Sequence, residues 1–346
     1  MFVRNMRYSL FKSCLPNIRH PLLRLGLMST SSQIGRPALS NELKKEECDE
    51  VKNLSEPQKA MLYLNEIGLT RGERNSGQIF TSALLGGAYL SWGGAMFVLL
   101  GGGTAEAMDT MPGLHKALSA LIFPIGLTSI VVTGADLLTS NMSYASLPII
   151  SGDERRTLNK KISSLIHLWT ISAAGNFAAS CGMALMTSHL FIDTSMATFA
   201  AALATKKVAG STVYIFTKAI GANWLVNLAI FEAATAKSSP GKAAMLWLPI
   251  TTFVALGLEH SVANFYFLPL GYLCGADITY ADMLHNLAPA ITGNIVGASF
   301  FFSYLQWKAL DPPLKSNTRV LSTSATPTNT TNTPLLPPTK KEKQVE

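Results

Sequence analysis

The chain has 346 residues, 28 of them Lys or Arg and 21 Asp or Glu, for a formal net charge of +7 and only 14% charged positions. Soluble domains carry roughly 25%, yet residues 79–307 hold 20 charges in 229 positions while the two ends hold 29 in 117. In water such a body would expose large apolar patches, which argues against an ordinary soluble enzyme and for an apolar body with polar tails.

Residues 1–41 contain Arg4, Arg7, Lys12, Arg19, Arg24 and Arg36, the run Ser29-Thr30-Ser31-Ser32, and no acid before Glu42. They read either as an organelle transit peptide or as a basic, disordered tail. Residues 42–75 are mixed in charge and expected to be partly helical. Six apolar stretches follow, near 79–101, 117–150, 162–188, 210–236, 242–275 and 283–306. Each is long enough to cross a bilayer as a helix, the form in which a backbone satisfies its own polar groups in lipid. The second and fifth exceed one crossing and contain polar interruptions. The tail 309–346, rich in Pro, Thr and Asn, reads as disordered.

Loop charge sets the expected orientation. Arg155, Arg156, Lys160 and Lys161 mark one side, together with Lys237 and Lys242, then Lys308, Lys315 and Arg319. The alternate loops carry Glu106, Asp109 and Lys116, then Asp277 and Asp282. Both termini are therefore expected on the cytosolic side of a plasma membrane or an organelle inner membrane (plastid or mitochondrial). Lys206 and Lys207 break the pattern, as ordinary surface lysines or as cations kept for a ligand. The Gly101-Gly102-Gly103 run reads as a loop.

Spans one to three (79–188) and four to six (210–306) read as two copies of one unit within a domain of 76–308. The second span contains Gly134-Ala-Asp136-Leu-Leu-Thr139-Ser140-Asn141; the fifth contains Gly257-Leu-Glu259-His260-Ser261-Val-Ala-Asn264. Each has an acid two positions after Gly and an Asn seven positions after it. The third and sixth spans share Gly175-Asn176 and Gly293-Asn294. Three spans per unit is odd, so the copies are expected to be inverted, with broken helices meeting near the bilayer midplane around a solute.

Charges at that depth need a reason. Asp136 and Glu259 suit capping or bracing of the half-helix starts by accepting backbone N–H bonds, with direct solute contact the alternative. His260 reads as a structural hydrogen-bonding residue or as a group facing the passage, with Thr139 offering a hydroxyl to the same solute. Asn223 and Asn294 are interhelical ties or solute donors. Lys218, in the middle of the fourth span, has no assigned role.

These segments, with Phe123-Pro-x-Gly126-Leu127, Asn223-Trp-Leu-Val-x-Leu-Ala and Thr292-Gly293-Asn294-Ile-Val-Gly297, resemble the formate/nitrite transporter family over about residues 75–307. The resemblance implies an all-α, aquaporin-like fold of six transmembrane helices in two inverted three-helix repeats, and a homopentamer in which every protomer has its own passage. It implies that Thr139 faces the central His260. It also implies that Leu127 and Leu137 form the cytosolic-side constriction, Phe123 and Phe253 the opposite one, and that Lys207 is a vestibule charge.

The function expected is passage of small monovalent weak-acid anions, nitrite first and formate second, proton-linked through His260, whose unperturbed pKa lies near 6.5. A neutral-solute, aquaporin-like channel is the alternative, weakened because the chain lacks Asn-Pro-Ala tripeptides. An enzyme is not expected: His260 and Glu259 have no second His at metal-ligand spacing and no Gly-x-Ser-x-Gly turn. Cys14, Cys48, Cys181 and Cys274 form no Cys-x-x-Cys pair. No cofactor, metal or nucleic-acid partner is expected; the partners are anions, protons, the lipid bilayer and further copies of the chain.

Overall fold

The structure is a computed structural model that describes residues 53–314. The expectations for the basic leader 1–41, for residues 42–52 and for the tail beyond residue 314 lie outside the described residues. Within them every regular element is helical.

The first helix, α1 (Glu56–Arg71), starts where local chemistry allows. Ser55 accepts from the Gln58 backbone, Gln58 reaches back to the Ser55 N–H, and a proline opens the first turn. Asn75 and Gln78 form the same reciprocal cap on α2 (Ser76–Gly103). The glycine run expected as a loop is the last turn of α2. The Phe199 ring packs on Gly101 and the Met196 backbone on Gly102, where side chains would collide, so glycine is what lets the later helix that carries these residues approach this turn.

After a single turn, α3 (Ala107–Thr110), the second apolar stretch is cut twice. It comprises α4 (Pro112–Leu121), α5 (Ile125–Thr133) and α6 (Leu138–Ile150). The first cut falls at Phe123-Pro124, since proline cannot donate into a continuing helix. The second falls at Gly134, whose φ of 74° is left-handed and costs only glycine nothing. The chain continues through α7 (Leu158–Phe191), α8 (Ser195–Val208) and α9 (Thr212–Thr235). The sequence reading treated α8 as part of a loop. The fifth stretch is α10 (Ser239–Ala255) and α11 (Ser261–Leu273), separated at Gly257, whose φ is 63°. Last come α12 (Tyr280–Val296), a π-helical segment over Gly297–Tyr304, and α13 (Leu305–Leu310).

Among the described residues, three helical stretches are long and apolar enough to cross a bilayer on their own: Ser76–Gly103, Pro112–Thr133 and Thr212–Thr235. The 13-residue halves α6 and α11 are each about 20 Å long, short of a hydrocarbon core of about 30 Å.

Close packing depends on glycine. A Cβ on Gly86 would strike the Asp136 carbonyl; one on Gly175 would lie 2.6 Å from the Ala83 methyl, and one on Gly293 2.5 Å from the Phe216 carbonyl. On the cytosolic side expected from loop charge, α1 is pinned to the loop after α6. Arg155 lies 2.6 Å from both Glu66 and Asp153, Asn65 donates to Asp153 at 3.0 Å, and Arg156 donates to the Leu69 carbonyl at 2.6 Å.

Two predictions follow from this packing. Gly293→Leu should abolish recovery of folded protein while Gly103→Ala, whose Cβ meets nothing within 4 Å, leaves it unchanged; size-exclusion profiles in detergent read both. Burial pushes the Asp153 carboxyl up, but the hydrogen bonds and charge of Arg155 outweigh it and hold the group below its usual range. A depressed folded pKa gives stability that is present at neutral pH and lost on acidification. The Asp153→Asn variant should therefore unfold at lower temperature than wild type at pH 7, and the gap should close as pH falls below about 4.

Candidate functional site

Each helix break is held by one carboxylate, at least one cation and at least two asparagines. At the first, Asp136 is fully buried and lies 2.8 Å from Arg71 Nη1 and 2.6 Å from Arg74 Nη1. Arg71 also donates to Asn141 Oδ1 at 2.7 Å and to the carbonyls of Gly134 and Ala135, while Asn141 Nδ2 donates to Asp136. At the second, Lys207 Nζ lies 3.1 and 3.2 Å from the two Glu259 oxygens. Asn264 donates to Glu259 at 2.7 Å and to Asn286 at 2.7 Å, and Asn286 donates to the Lys207 carbonyl at 2.9 Å. Buried carboxylates are tolerated because each is paired and hydrogen-bonded.

The unwound backbone is satisfied by a second pair of asparagines in matching fashion. Asn176 Oδ1 accepts from Leu138 N at 2.7 Å; its Nδ2 donates to the carbonyls of Ala83 at 2.7 Å and Asp136 at 2.9 Å. Asn294 Oδ1 accepts from Ser261 N at 2.8 Å; its Nδ2 donates to Ala219 O at 2.8 Å and Glu259 O at 3.0 Å. This corrects the expectation that Asp136 and Glu259 accept the half-helix N–H groups. An amide accepts and donates at once, so it can serve both an N–H and two carbonyls, whereas an ionised carboxylate only accepts.

His260 caps α11. Its Nδ1 accepts from the Ala263 backbone N–H at 3.1 Å, and its Nε2 lies 2.9 Å from Thr139 Oγ1 of the first break. A backbone N–H can only donate, so Nδ1 carries the lone pair and, in the neutral ring, Nε2 carries the hydrogen. Both residues are buried, at 2% and 0% exposure. The Phe253 ring centroid is 5.8 Å from the imidazole, and Phe123 meets Phe253 edge-on at 5.7 Å. Leu127 and Leu137 are equally buried, Leu137 directly preceding α6.

Asn223 does not reach the imidazole. Its Nδ2 donates to the carbonyls of Thr139 at 3.1 Å and Asn294 at 2.9 Å, linking α6, which follows the first break, to α12, whose Asn294 supports the second. The hydroxyls of Ser140 and Ser261 are buried without a hydrogen-bond partner. Lys218 stays outside the cluster, donating to the Tyr214 hydroxyl at 3.3 Å and lying 4.7 Å above its ring. Sequence reading missed Arg71 and Arg74, which lie outside the apolar body and meet Asp136 only in three dimensions. It missed Asn286, and also Asn227, whose four-residue spacing from Asn223 was the available signal.

The Thr139–His260 contact thus joins the segments that follow Gly134 and Gly257 inside an apolar helical body. The model of the formate/nitrite transporter family matches residues 58–308, and the chain belongs to that family. It is therefore an integral membrane protein, and the family's members are transporters and channels. A probable formate transporter of Methanothermobacter thermautotrophicus is 32% identical over 244 residues, 67% of this chain and 88% of that protein. The formate channel BtFdhC of Bacillus thuringiensis is 27% identical over 72% of this chain and 93% of its own length. Formate-nitrite transporter 3 of Toxoplasma gondii is 28% identical over 70% of this chain and 49% of its own length. Among solved structures, an FNT family ion channel superposes with a TM-score of 0.62 at 25% identity, covering 73% of this chain and 98% of that one. A pentameric formate channel with formate bound gives 0.58 at 24% identity, covering 68% and 97%.

Removing one partner from the Lys207–Glu259 pair strands a buried charge. Lys207→Ala should lower stability by about 3 kcal/mol or more, and Lys207→Met with Glu259→Gln should recover much of that loss. Thermal unfolding of the purified protein in detergent reads the difference.

Proposed function

We propose that this chain carries small monovalent weak-acid anions across a membrane, with formate and nitrite as its solutes and with passage linked to protons at His260. The reading rests on one observation, the buried Thr139–His260 contact that joins the two breaks beneath the Phe123 and Phe253 rings. Nitrite led on sequence alone; the formate transporter and formate channel among the relatives give formate equal standing.

In this reading Arg71 and Arg74, which keep one net positive charge beside Asp136, raise the local concentration of anions at the cytosolic mouth, while Lys207, its charge balanced by Glu259, offers ammonium N–H donors at the outer one. Leu127 and Leu137 on one side and Phe123 and Phe253 on the other form a dry barrier that the neutral acid crosses far more easily than the ion. The imidazole presents Nε2–H to the arriving anion in place of the Thr139 hydroxyl. Handing that proton to the anion requires uptake of another at Nδ1, which gives up the Ala263 cap. One proton enters at Nδ1, one leaves from Nε2, and the solute proceeds as the neutral acid, which leaves the ring in its Nδ1–H tautomer; loss of the Nδ1 proton and uptake of one at Nε2 restores the Ala263 cap and completes the cycle.

The matched hydrogen bonds of Asn176 and Asn294 support two inverted three-span repeats, 79–188 and 210–306, within a domain of 76–308. The halves α5–α6 and α10–α11 then act as two broken spans. Loop charge supports cytosolic-side termini, and the family resemblance supports assembly as a pentamer.

His260→Ala should slow formate and nitrite uptake into proteoliposomes at least tenfold at pH 6 and flatten its dependence on external pH. An unchanged pH profile would remove His260 from the proton link. Osmotic swelling with water or glycerol tests the neutral-solute alternative; swelling faster than in protein-free vesicles would favour it.

A further inference from the structure

We infer that Asn227 is a positioning residue for the Thr139–His260 contact, acting through Asn223; the inference rests on the transport reading above. Asn227 follows Asn223 by one turn of α9 and is 1% exposed. Its Nδ2 donates to the Asn223 carbonyl at 2.8 Å and to Asn223 Oδ1 at 3.0 Å, and it lies 3.4 Å from the Thr139 carbonyl.

The contact with Oδ1 sets which way the Asn223 amide faces. With its oxygen held by Asn227, Asn223 turns Nδ2 toward the carbonyls of Thr139 and Asn294. The reverse orientation would press an amide oxygen against two carbonyl oxygens. Asn223 is thus the tie between the segment bearing Thr139 and the helix whose Asn294 supports the second break, and Asn227 fixes the direction of that tie. Moving the Thr139 backbone moves the hydroxyl beside it, and displacements on the order of 1 Å at a reacting centre can cost on the order of a hundredfold in rate.

A second observation separates this role from packing. Asn227 Oδ1 is buried with no hydrogen-bond partner. A stranded buried carbonyl destabilises a fold, so packing alone would favour an apolar side chain here. The amide is explained by what its Nδ2 does.

The test uses the full chain in proteoliposomes, as wild type, Asn227→Leu, Asn223→Ala and the double variant, with formate and nitrite uptake resolved into KM and maximal rate. Thermal unfolding is measured on the same preparations. Asn227→Leu, which leaves the buried Asn223 Oδ1 without its donor, should unfold somewhat earlier than wild type, keep KM within about twofold because Asn227 does not touch the solute, and lose about tenfold in maximal rate per folded protein. The double variant should be no slower than Asn223→Ala alone. An unchanged maximal rate in Asn227→Leu, or losses that multiply in the double variant, would overturn the inference. If wild type carries neither anion, the transport reading fails by itself. The unfolding cycle then decides the Asn223–Asn227 link, with coupled midpoints supporting it and additive midpoints ending it.

Discussion

A backbone that unwinds inside an apolar body must find partners for its N–H and C=O groups, and everything else in this protein is arranged around that demand. Asn176 and Asn294 meet it. Each places one amide so that the oxygen takes the first N–H of a half-helix while the nitrogen serves two carbonyls. Glycine supplies the rest: Gly134 and Gly257 take the left-handed turn that ends the preceding half, and Gly86 lets α2 approach the Asp136 carbonyl. The breaks are therefore built features, with side-chain amides meeting backbone groups that a continuous helix would pair internally.

The two breaks are alike in their amides and unlike in their charges. Asp136 is met by two arginines, leaving one net positive charge; Glu259 is met by one lysine and is neutral as a pair. The arginines come from α1 and the turn after it, the lysine from α8. The first break thus depends on a segment ahead of the apolar body, and that segment is itself fastened by Arg155, Arg156 and Asn65. Anything that loosens α1 would reach Asp136 through Arg71. The second break has no such dependence, since α8 packs directly on α11 and α2.

Between them, the His260–Thr139 contact combines two duties in one ring. Nδ1 is committed to capping α11, which leaves a single polar face, Nε2, toward Thr139. A residue that caps a helix is costly to reorient, so the ring is held for whatever it meets there. The Phe253 ring packs against the imidazole and Phe123 against Phe253, an apolar surrounding in which polar contacts are stronger than in water.

The helical, membrane-embedded class was legible because it rests on local chemistry: long charge-poor runs, prolines and glycines at the breaks, and a repeated Gly-x-acid pattern. The candidate residues Thr139, His260, Asp136, Glu259, Asn176 and Asn294 were legible from that repetition. The Thr139–His260 facing was implied by resemblance, but the backbone partners were not legible: the sequence offered Asp136 and Glu259 for capping or bracing, whereas the fold brings Arg71, Arg74 and Lys207 against them and leaves the capping to asparagines and His260. Nor could sequence see that α8 is a helix, that the glycine run ends α2 as helix beneath Phe199, or that Asn227 orients Asn223. Composition and periodicity fix which segments leave water and where they unwind, because those depend on neighbours along the chain. Which polar group satisfies which was decided only when helices distant in sequence packed side by side, because a hydrogen bond needs an angle and a distance that no spacing along the chain supplies.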